Sequence, residues 1–517
     1  MRKVKATPYH IFLTGLFFIA VGLPLSRTLI TFGEIILAVG WLLSGDFKKK
    51  WILFINNWPL LVFLMIYLMH VAGFFYSSDT TYAMKDLRIK APLFVLPVLL
   101  ATGPRINQKD INKVLIFFVG AVIASGVVSC WILFTQNPSE TRQLSPFISH
   151  IRLSLMICLA VLITGHAIFS KEMKQKYRWL LGLILLMLIT YLFILEALTG
   201  IILFAILVPF VLIYAIICYK NTIFRIITSL FIVLYVVVVV IFITGFMKEL
   251  HPDISQQTKS LEFYTPQGNC YSHDTSGPIN ENGHLVWIYI CEEELEEAWN
   301  QRSALAYDTT ILNGYPISDV LIRYLSSKGL RKDAEGVQAL SEEDIKNIEA
   351  GSTNYRYNNK LSIKPRLDQL KHEYWNYLQN NNPAGNSLLQ RIELWSNARA
   401  IIAENMWFGV GTGDIKNAFS TQLENASSPL AGSKLRSHNQ YYAIAIAFGI
   451  VGLIIFLFAI IFPVYRSKKY NAFIPMIFIL IAMLSMITED TLESQVGATF
   501  FSFFYAFLFL RKEEKQP

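Results

Sequence analysis

The side chains best placed to do chemistry lie towards the C-terminal end of the chain. Arg391 begins a stretch in which apolar residues recur every three or four positions, which predicts a helix with Arg391 and Arg399 outside its apolar stripe. A glycine-rich segment follows at 409–414, and His438 and Asn439 then directly precede an apolar run long enough to cross a bilayer. An imidazole at that border would suit an enzyme that joins a lipid-borne substrate to a polar acceptor. An ordinary interfacial histidine beside a loop is the alternative interpretation.

The composition indicates that this border is a membrane surface. Of the 517 residues, 54% are hydrophobic and 16% charged, and the mean hydropathy is +0.43, which is too apolar for a soluble protein of this size. Apolar runs of spanning length recur, so the sequence predicts an all-α polytopic membrane protein without a cleavable signal peptide. The net charge of +8 lies mainly in short loops on one side of the membrane, which argues against binding of nucleic acid.

About twelve apolar runs are candidates for transmembrane helices. Lysine and arginine are concentrated in alternate connections between these runs, which predicts that both termini are cytoplasmic. The chain then divides into nine helices at 1–247, a large periplasmic domain at 248–439 that carries Arg391 and His438, and three helices with a short tail at 440–517. The runs are 9–26, 28–45, 57–76, 88–102, 111–135, 147–169, 179–196, 199–218, 224–246, 440–464, 471–488 and 495–510.

The insert between the ninth and tenth helices is predicted to be a mixed α/β domain. Alternating apolar residues near 261–265 and 284–291 predict a β-hairpin centred near Asn280. Cys270 and Cys291 flank that centre almost symmetrically, which predicts a disulfide in an oxidising compartment. Helices are predicted at 292–302, 317–327, 365–378 and 387–405, and another is predicted to begin at Ser341 with a capping box.

No cofactor site is predicted. The glycine-rich segment lacks both a preceding strand and the lysine of a phosphate-binding loop, so a nucleotide is not expected. His273 and Asp274 are too few to indicate a metal. Cys130, Cys158 and Cys218 lie within apolar runs and are expected to be inert packing residues.

Cationic side chains are predicted to gather at the outer membrane face. They are Arg88, Lys90, Arg152, Arg391 and Arg399. Guanidinium groups match phosphate oxygens in a bidentate manner, so such a set beside His438 would suit a lipid-linked diphosphate. Ordinary snorkelling of each side chain to the interface is the alternative.

Two motifs resemble the O-antigen ligase family, which shares its architecture with O-antigen polymerases and bacterial O-linked oligosaccharyltransferases. The first reads RIELWxxAxxxIxxxxxxGVGTGD, followed after a gap by SHNQYYxxxxxxGIVG, and the second is SHIRLS around Arg152. The segment 488–497 is also similar to family members from Bacteroidetes. The specific resemblance covers 390–497 and Arg152, whereas the long insert before Arg391 exceeds what is expected of the family.

The resemblance implies an inverting, metal-independent glycosyltransferase of the bacterial inner membrane. It would move a glycan from undecaprenyl diphosphate to lipid A–core at the periplasmic face, without a nucleotide. Arg152 and Arg391 match the diphosphate-handling arginines, and His438 matches the base that activates the acceptor. Asn439 and Tyr441 would orient substrate or the imidazole ring, while Glu489 and Asp490 form an acidic pair at the same face.

Other functions stay open at the level of sequence. An O-antigen polymerase or a protein O-oligosaccharyltransferase would use the same residues with a different acceptor. A glycan flippase would also have about twelve helices, but it should show repeat symmetry and polar residues near the bilayer midplane. The apolar runs are nearly free of charge and show no repeat, so an enzyme is favoured.

Overall fold

The computed structural model describes most of the chain, which forms two compact units. The described residues are 6–136, 141–170, 173–219, 221–250, 255–276, 279–311, 316–358, 364–380, 383, 386–433 and 435–511. The first unit comprises Met1–Lys220 and Arg391–Pro517, and the second comprises Asn221–Gln390. Lys512 and Lys515, which add to the predicted basic charge of the cytoplasmic tail, lie outside the described residues.

In the described residues, the N-terminal part of the first unit has ten α-helices and a 3-10 turn at Thr141–Leu144. The α-helices are α1 (Ala6–Leu25), α2 (Arg27–Leu43), α3 (Phe47–Ile55), α4 (Trp58–Phe74), α5 (Thr80–Lys90), α6 (Pro92–Thr102), α7 (Gln108–Thr135), α8 (His150–Phe169), α9 (Gln175–Ile194) and α10 (Leu198–Cys218). Helices α1 and α2 approach closely through glycines: a Cβ on Gly15 would lie 2.5 Å from Leu37 N, and one on Gly40 would lie 2.4 Å from Phe12 N. Such small residues let membrane helices pack at short backbone distance.

The second unit is mostly helical in its described part. Its elements are α11 (Thr222–Leu250), α12 (Ser255–Thr258), β1 (Asn280–Glu281), β2 (His284–Leu285), α13 (Glu292–Arg302), α14 (Ile317–Ser327), α15 (Ala334–Gln338), α16 (Glu342–Glu349) and α17 (Lys364–Asn380). A separate apolar core centred on Trp299 and Tyr324 holds α13 to α16 together. The predicted helices at 292–302 and 317–327 are confirmed, and Ser341 forms the predicted capping box with Asp344.

Five further α-helices follow in the described residues. They are α18 (Ser387–Glu404), α19 (Ile415–Asn425), α20 (Gln440–Ser467), α21 (Phe473–Thr488) and α22 (Gln495–Tyr505), and a π-helical turn continues α22 over Ala506–Leu510. Leu394, Ala398 and Ile401 of α18 belong to the apolar core that the membrane helices share. For this reason Arg391 and His438 lie in the first unit, whereas the sequence had grouped them with the soluble insert.

The structure confirms a helical, multi-pass membrane protein. Each predicted apolar run overlaps a helix, although the run 88–102 is divided between α5 and α6. Among the described residues, seven helices are long and apolar enough to cross a membrane, or eight if the pair α2 and α3, bent by 111°, counts as one span. Three shorter apolar helices, Trp58–Phe74, Phe473–Thr488 and Gln495–Leu510, fall below that length, so the expected number of about twelve spans exceeds what helix length supports.

The glycine-rich segment at 409–414 supports a break in α20. Gly449 has φ +65, and Ile450 N donates to Met406 O at 2.8 Å instead of to the carbonyl of Ile446. Val410 N and Gly411 N then donate to the freed carbonyls of Ile446 and Ala447, both at 2.9 Å. Backbone groups at membrane depth must find such partners, so these glycines have a structural role.

The hairpin of the second unit has a different register from the predicted one. Asn282 and Gly283 both have positive φ, +53 and +94, which is the Asn-Gly turn that favours a two-residue hairpin loop. Asn280 therefore pairs with Leu285, and the centre moves beyond Asn280. Extended structure is otherwise limited to isolated bridges in the described residues. Gly277 and Pro278, two turn-forming residues within the predicted hairpin, lie outside the described residues.

This register separates the two cysteines expected to form a disulfide. Ser272 lies opposite Ile290, which leaves Cys270 and Cys291 one position out of register. Adjacent positions on a strand point to opposite faces. Cys270 is exposed, Cys291 is buried, and both are free thiols, so the predicted disulfide is not formed in this structure.

Candidate functional site

His438 lies in a short, well-anchored segment directly before α20. Its φ of +48 is in the left-handed region, which is uncommon for a residue with a side chain. Trp395 on α18 donates from Nε1 to the carbonyl of Ser437 at 2.8 Å. On the other side, the Asn439 side chain accepts from the backbone amides of Tyr441 and Tyr442 and so caps α20. Strained backbone held from both sides is typical of functional positions.

Two carboxylates from the loop after α21 lie beside this histidine. Nitrogen and oxygen atoms of His438, Glu489 and Asp490 lie within 4.8 Å of one another. Arg391 on α18 donates from Nη2 to Glu489 Oε1 at 2.7 Å. Arg152 on α8 lies within electrostatic range of both carboxylates. We call these five residues the histidine cluster.

Burial controls the protonation of the histidine cluster. It lowers the pKa of His438, against the opposing effect of Asp490, so the imidazole is held in its neutral form. It also raises the pKa of Glu489 to about 7, although Arg391 opposes the shift. The pKa of Asp490 is likewise raised by burial and by the nearby Glu493. The cluster therefore holds a neutral base next to two carboxyl groups whose raised pKa values make protonation easier.

Each of the two arginines of the histidine cluster has a hydrogen-bond donor that is not used. The Nε atoms of Arg152 and Arg391 are buried, and neither has a hydrogen-bond partner among the described residues. A cavity of about 80 Å³ lies beside Arg152, lined also by Arg27, Ser149 and Gln495. Unused buried guanidinium donors are costly unless something binds them. An anionic ligand would satisfy both.

A second set of charged residues close by is joined by ion pairs, although Asp86 Oδ2 has no hydrogen-bond partner among the described residues. The ammonium of Lys90 lies 2.5 Å from Asp86 Oδ1 and 2.9 Å from Glu493 Oε1. Arg436 Nη1 contacts Glu493 Oε2 at 2.9 Å, and its guanidinium also donates to the Tyr82 hydroxyl. The Lys90 side chain is 0% exposed, so it is not open to a substrate. We call Lys90, Asp86, Glu493 and Arg436 the lysine network.

The other residues singled out in the sequence do not join the histidine cluster. Arg88 on α5 and Arg399 on α18 are both exposed. The Asn439 side chain is used as the helix cap, and Tyr441 donates its hydroxyl to the carbonyl of Met483 at 2.8 Å. Asn439 and Tyr441 thus position the start of α20 and, through it, the histidine.

Sequence reasoning missed Arg27, Asp86, Arg436 and Glu493. Two of them had a signal: Arg436 precedes His438 by two positions, and Glu493 belongs to the acidic segment after α21 that contains Glu489. Asp86 had only its spacing of four residues from Lys90, which puts both on one helix face.

The histidine cluster also bears on whether a metal could bind. One imidazole and two carboxylates at this spacing can ligate a divalent cation. The Arg391 guanidinium already holds Glu489, however, and Arg152 and Arg436 add positive charge near Asp490. A dication in the same place would be repelled by three guanidinium groups. The donor set fits an anionic ligand better than a metal.

Comparison with known proteins places this arrangement in context. The fold and the site define a multi-pass membrane protein with a polar, arginine-rich cluster around one histidine. Residues 362–457 match the family model described as O-antigen ligase, which confirms the resemblance recognised in the sequence. The match includes Arg391 and His438 but ends before Glu489. No curated protein matches the chain.

Proposed function

We propose that this protein is a glycosyltransferase of the O-antigen ligase type that moves a glycan from undecaprenyl diphosphate to lipid A–core. The observation that carries the proposal is the histidine cluster, in which a neutral base adjoins two arginines with unused donors. The match to the O-antigen ligase family supports it.

In the proposed reaction an acceptor hydroxyl attacks the anomeric carbon of the donor sugar. The neutral imidazole of His438 takes the hydroxyl proton as the new glycosidic bond forms. The bond from the anomeric carbon to the diphosphate oxygen breaks with its electron pair, and undecaprenyl diphosphate departs. A single displacement of this kind inverts the anomeric configuration.

Stabilisation of the leaving diphosphate falls to Arg391 and Arg152. Their free Nε groups can donate to phosphate oxygens as negative charge develops there. The bound diphosphate would compete with Glu489 for Arg391. Because the pKa of Glu489 is about 7, this carboxylate can take up a proton when its ion pair with Arg391 is broken. Because the guanidinium groups supply the positive charge, the proposed reaction is metal-independent.

The proposed location is the bacterial inner membrane, with both termini in the cytoplasm and the insert in the periplasm. The support is the alternation of basic residues along the chain. A reporter active only in the periplasm should work when fused within Asp333–Gly351 and be silent at Lys174. The reverse pattern would contradict the orientation and place the histidine cluster on the wrong side for the proposed donor.

The acceptor is tested by the surface glycans of a deletion strain. If the protein is a ligase, lipid A–core should lose its long glycan while lipid-linked chains accumulate. Loss of chain length alone would identify an O-antigen polymerase, and loss of protein-linked glycan would identify a protein O-oligosaccharyltransferase. Unchanged glycans in all three fractions would contradict the proposed function.

A further inference from the structure

The second unit contains a pocket that none of the proposed chemistry uses. It has a volume of about 430 Å³ and lies between the β1–β2 hairpin and the end of α14. Its lining includes Ser260, His284, Tyr289, Arg331 and Lys332. The volume is within the range of small-molecule sites, roughly 300–1,000 Å³.

The basic groups of this pocket outnumber its acids. The Lys332 side chain is 3% exposed, and its ammonium donates to the carbonyls of Leu285 and Ile288 at 3.1 and 2.9 Å. No carboxylate forms an ion pair with Lys332 in the part of the chain that the structure describes. Burial lowers the pKa of Lys332 to about 7. Burial and the charge of Lys332 also lower the pKa of His284. An anion between these two groups would relieve both shifts.

Arg331 extends the positive charge to the rim of the pocket. Its guanidinium makes a bidentate pair with Glu262 at 2.5 and 2.7 Å, and it lies 4.9 Å from the centre of the Tyr289 ring. Glu262 offsets the charge of Arg331, while Asp333 opposes the lowered pKa of Lys332 without forming an ion pair with it in the described part of the chain.

The wall formed by Tyr289 is rigid. Its φ of +57 is strained for a residue with a side chain, and the conformation is held by two hydrogen bonds. The amide of Tyr289 donates to His273 Nδ1 at 3.0 Å, and its hydroxyl donates to the carbonyl of Ser260 at 3.3 Å. Two hydrogen bonds therefore hold Tyr289 in a strained conformation beside the buried Lys332. Such a fixed arrangement is typical of a preformed binding site.

We propose that this pocket binds an acidic sugar of the glycan on which the protein acts, with the sugar's anionic group at Lys332. The proposal rests on the proposed function for the choice of a saccharide. The volume also supports this choice: a single water molecule's share of liquid volume is about 30 Å³, so a bare anion would leave most of the pocket unfilled. A sugar would present hydroxyl groups to the polar rim and its ring to Tyr289.

The test is a binding measurement on the full-length protein in lipid nanodiscs. Trigalacturonate and neutral trigalactose serve as probes, since they differ in the carboxylate at each C6 position. Trigalacturonate should bind at least about 10-fold more tightly, the size expected for hydrogen bonds to a charged group. Equal binding of the two would overturn the proposal. So would inorganic phosphate or triglutamate binding as tightly as trigalacturonate, because either would show that the site does not select a sugar.

Variants locate the binding in the pocket. Lys332→Met should remove the preference for trigalacturonate, whereas the control Lys346→Met, an exposed lysine of α16, should keep it. Ser260→Trp, at the exposed rim, should block both probes and does not disturb the bonds of Lys332. Full trigalacturonate binding by Ser260→Trp would overturn the assignment to this pocket, even if Lys332→Met failed to fold.

The outcome can be separated from that of the proposed transfer. His438→Ala should lose transfer but bind trigalacturonate as wild type does. A protein that transfers glycan without selecting trigalacturonate overturns the pocket proposal alone. One that selects trigalacturonate but transfers no glycan to any acceptor overturns the proposed function alone.

Discussion

The histidine cluster and the lysine network lie next to each other, but they differ in how completely their charged side chains are paired. In the lysine network both oxygens of Glu493 are used, by Lys90 at one end and Arg436 at the other. In the histidine cluster Glu489 has one strong partner, and two buried Nε donors have none among the described residues. Asp86 Oδ2 of the lysine network also lacks a partner among the described residues, so the contrast concerns the two cations and Glu493, which are paired there. Paired charges stabilise a fold, whereas buried donors without a partner are typical of places where a ligand binds.

Two glutamates four positions apart show the difference most directly. Burial raises the pKa of Glu489 to about 7. Burial acts in the same direction on Glu493, but Lys90 and Arg436 reverse it and lower the pKa to about 2. The lysine network therefore acts as a fixed frame for the loop after α21, and the histidine cluster, on the same loop, can change its protonation and partners.

The largest effect on the rate of glycan transfer is expected from substitution of the proposed base, His438. His438→Ala should lower the rate of glycan transfer by about two to four orders of magnitude, because a positioned general base contributes that much. The measurement is the initial rate with purified protein in lipid, after thermal unfolding shows that the variant is folded. His10→Ala, an exposed histidine of α1, is the matched control and should transfer at the wild-type rate. Near wild-type transfer by folded His438→Ala would remove this residue from the mechanism.

Glu493→Gln should act on stability instead. It leaves Lys90 and Arg436 without their shared carboxylate in a buried setting, where breaking a pair costs about 3–5 kcal/mol. The loss should be near the lower end, since Lys90 keeps Asp86. Thermal unfolding in detergent measures it, with exposed Glu424→Gln as control. If Glu489→Gln destabilised the protein as much as Glu493→Gln, the contrast between the two clusters would be lost.

Substitution of Arg391 should weaken donor binding. Arg391→Ala removes hydrogen bonds to a charged group, worth about 1.5–3 kcal/mol, so affinity for the lipid-linked donor should fall roughly 10- to 100-fold. Arg391→Lys should recover little, because an ammonium cannot reproduce the planar fork. Exposed Arg399→Lys on the same helix is the control. Full recovery of binding by Arg391→Lys would mean that Arg391 supplies only a point charge.

The smallest effect is expected in the pH profile. Since the folded pKa of His438 is lowered from 6.5, its neutral form persists as pH falls, and the acid limb of kcat/KM should lie below pH 6.5. Asp490 raises that pKa, so Asp490→Asn should move the limb to still lower pH. An unmoved limb, or one moved to higher pH, would show that Asp490 does not act on His438 in this way.

Much of the fold follows from local sequence signals. The apolar runs predicted the membrane helices, and the Ser341 capping box and the helices at 292–302 and 317–327 were predicted to the residue. The number of spans was less predictable, because α21 and α22 are apolar but short, and α2 bends sharply into α3. Hydropathy reports how apolar a segment is, whereas the place where a helix bends or ends depends on how it packs against its neighbours.

The candidate site was predictable in part. Arg391, His438, Arg152, Glu489 and Asp490 were singled out, and the structure brings them together. The pairing of Lys90 with Glu493 was not predictable, because the two residues are distant in sequence, whereas the pairing with Asp86 is between helix positions four residues apart. The register of the hairpin was missed for a local reason: the Asn282-Gly283 turn outweighs the symmetry of the two cysteines about Asn280.

Transfer by the purified protein tests the central claim most directly. Full-length protein in nanodiscs is given undecaprenyl diphosphate-linked glycan and lipid A–core, with chelator present and no nucleotide added, and the product is examined by mass spectrometry and NMR. We predict that glycan becomes linked to lipid A–core with inverted anomeric configuration, at a rate that added magnesium does not change and that His438→Ala lowers by about two to four orders of magnitude. A product with retained configuration, or transfer that requires a divalent metal, would contradict direct displacement at the histidine cluster.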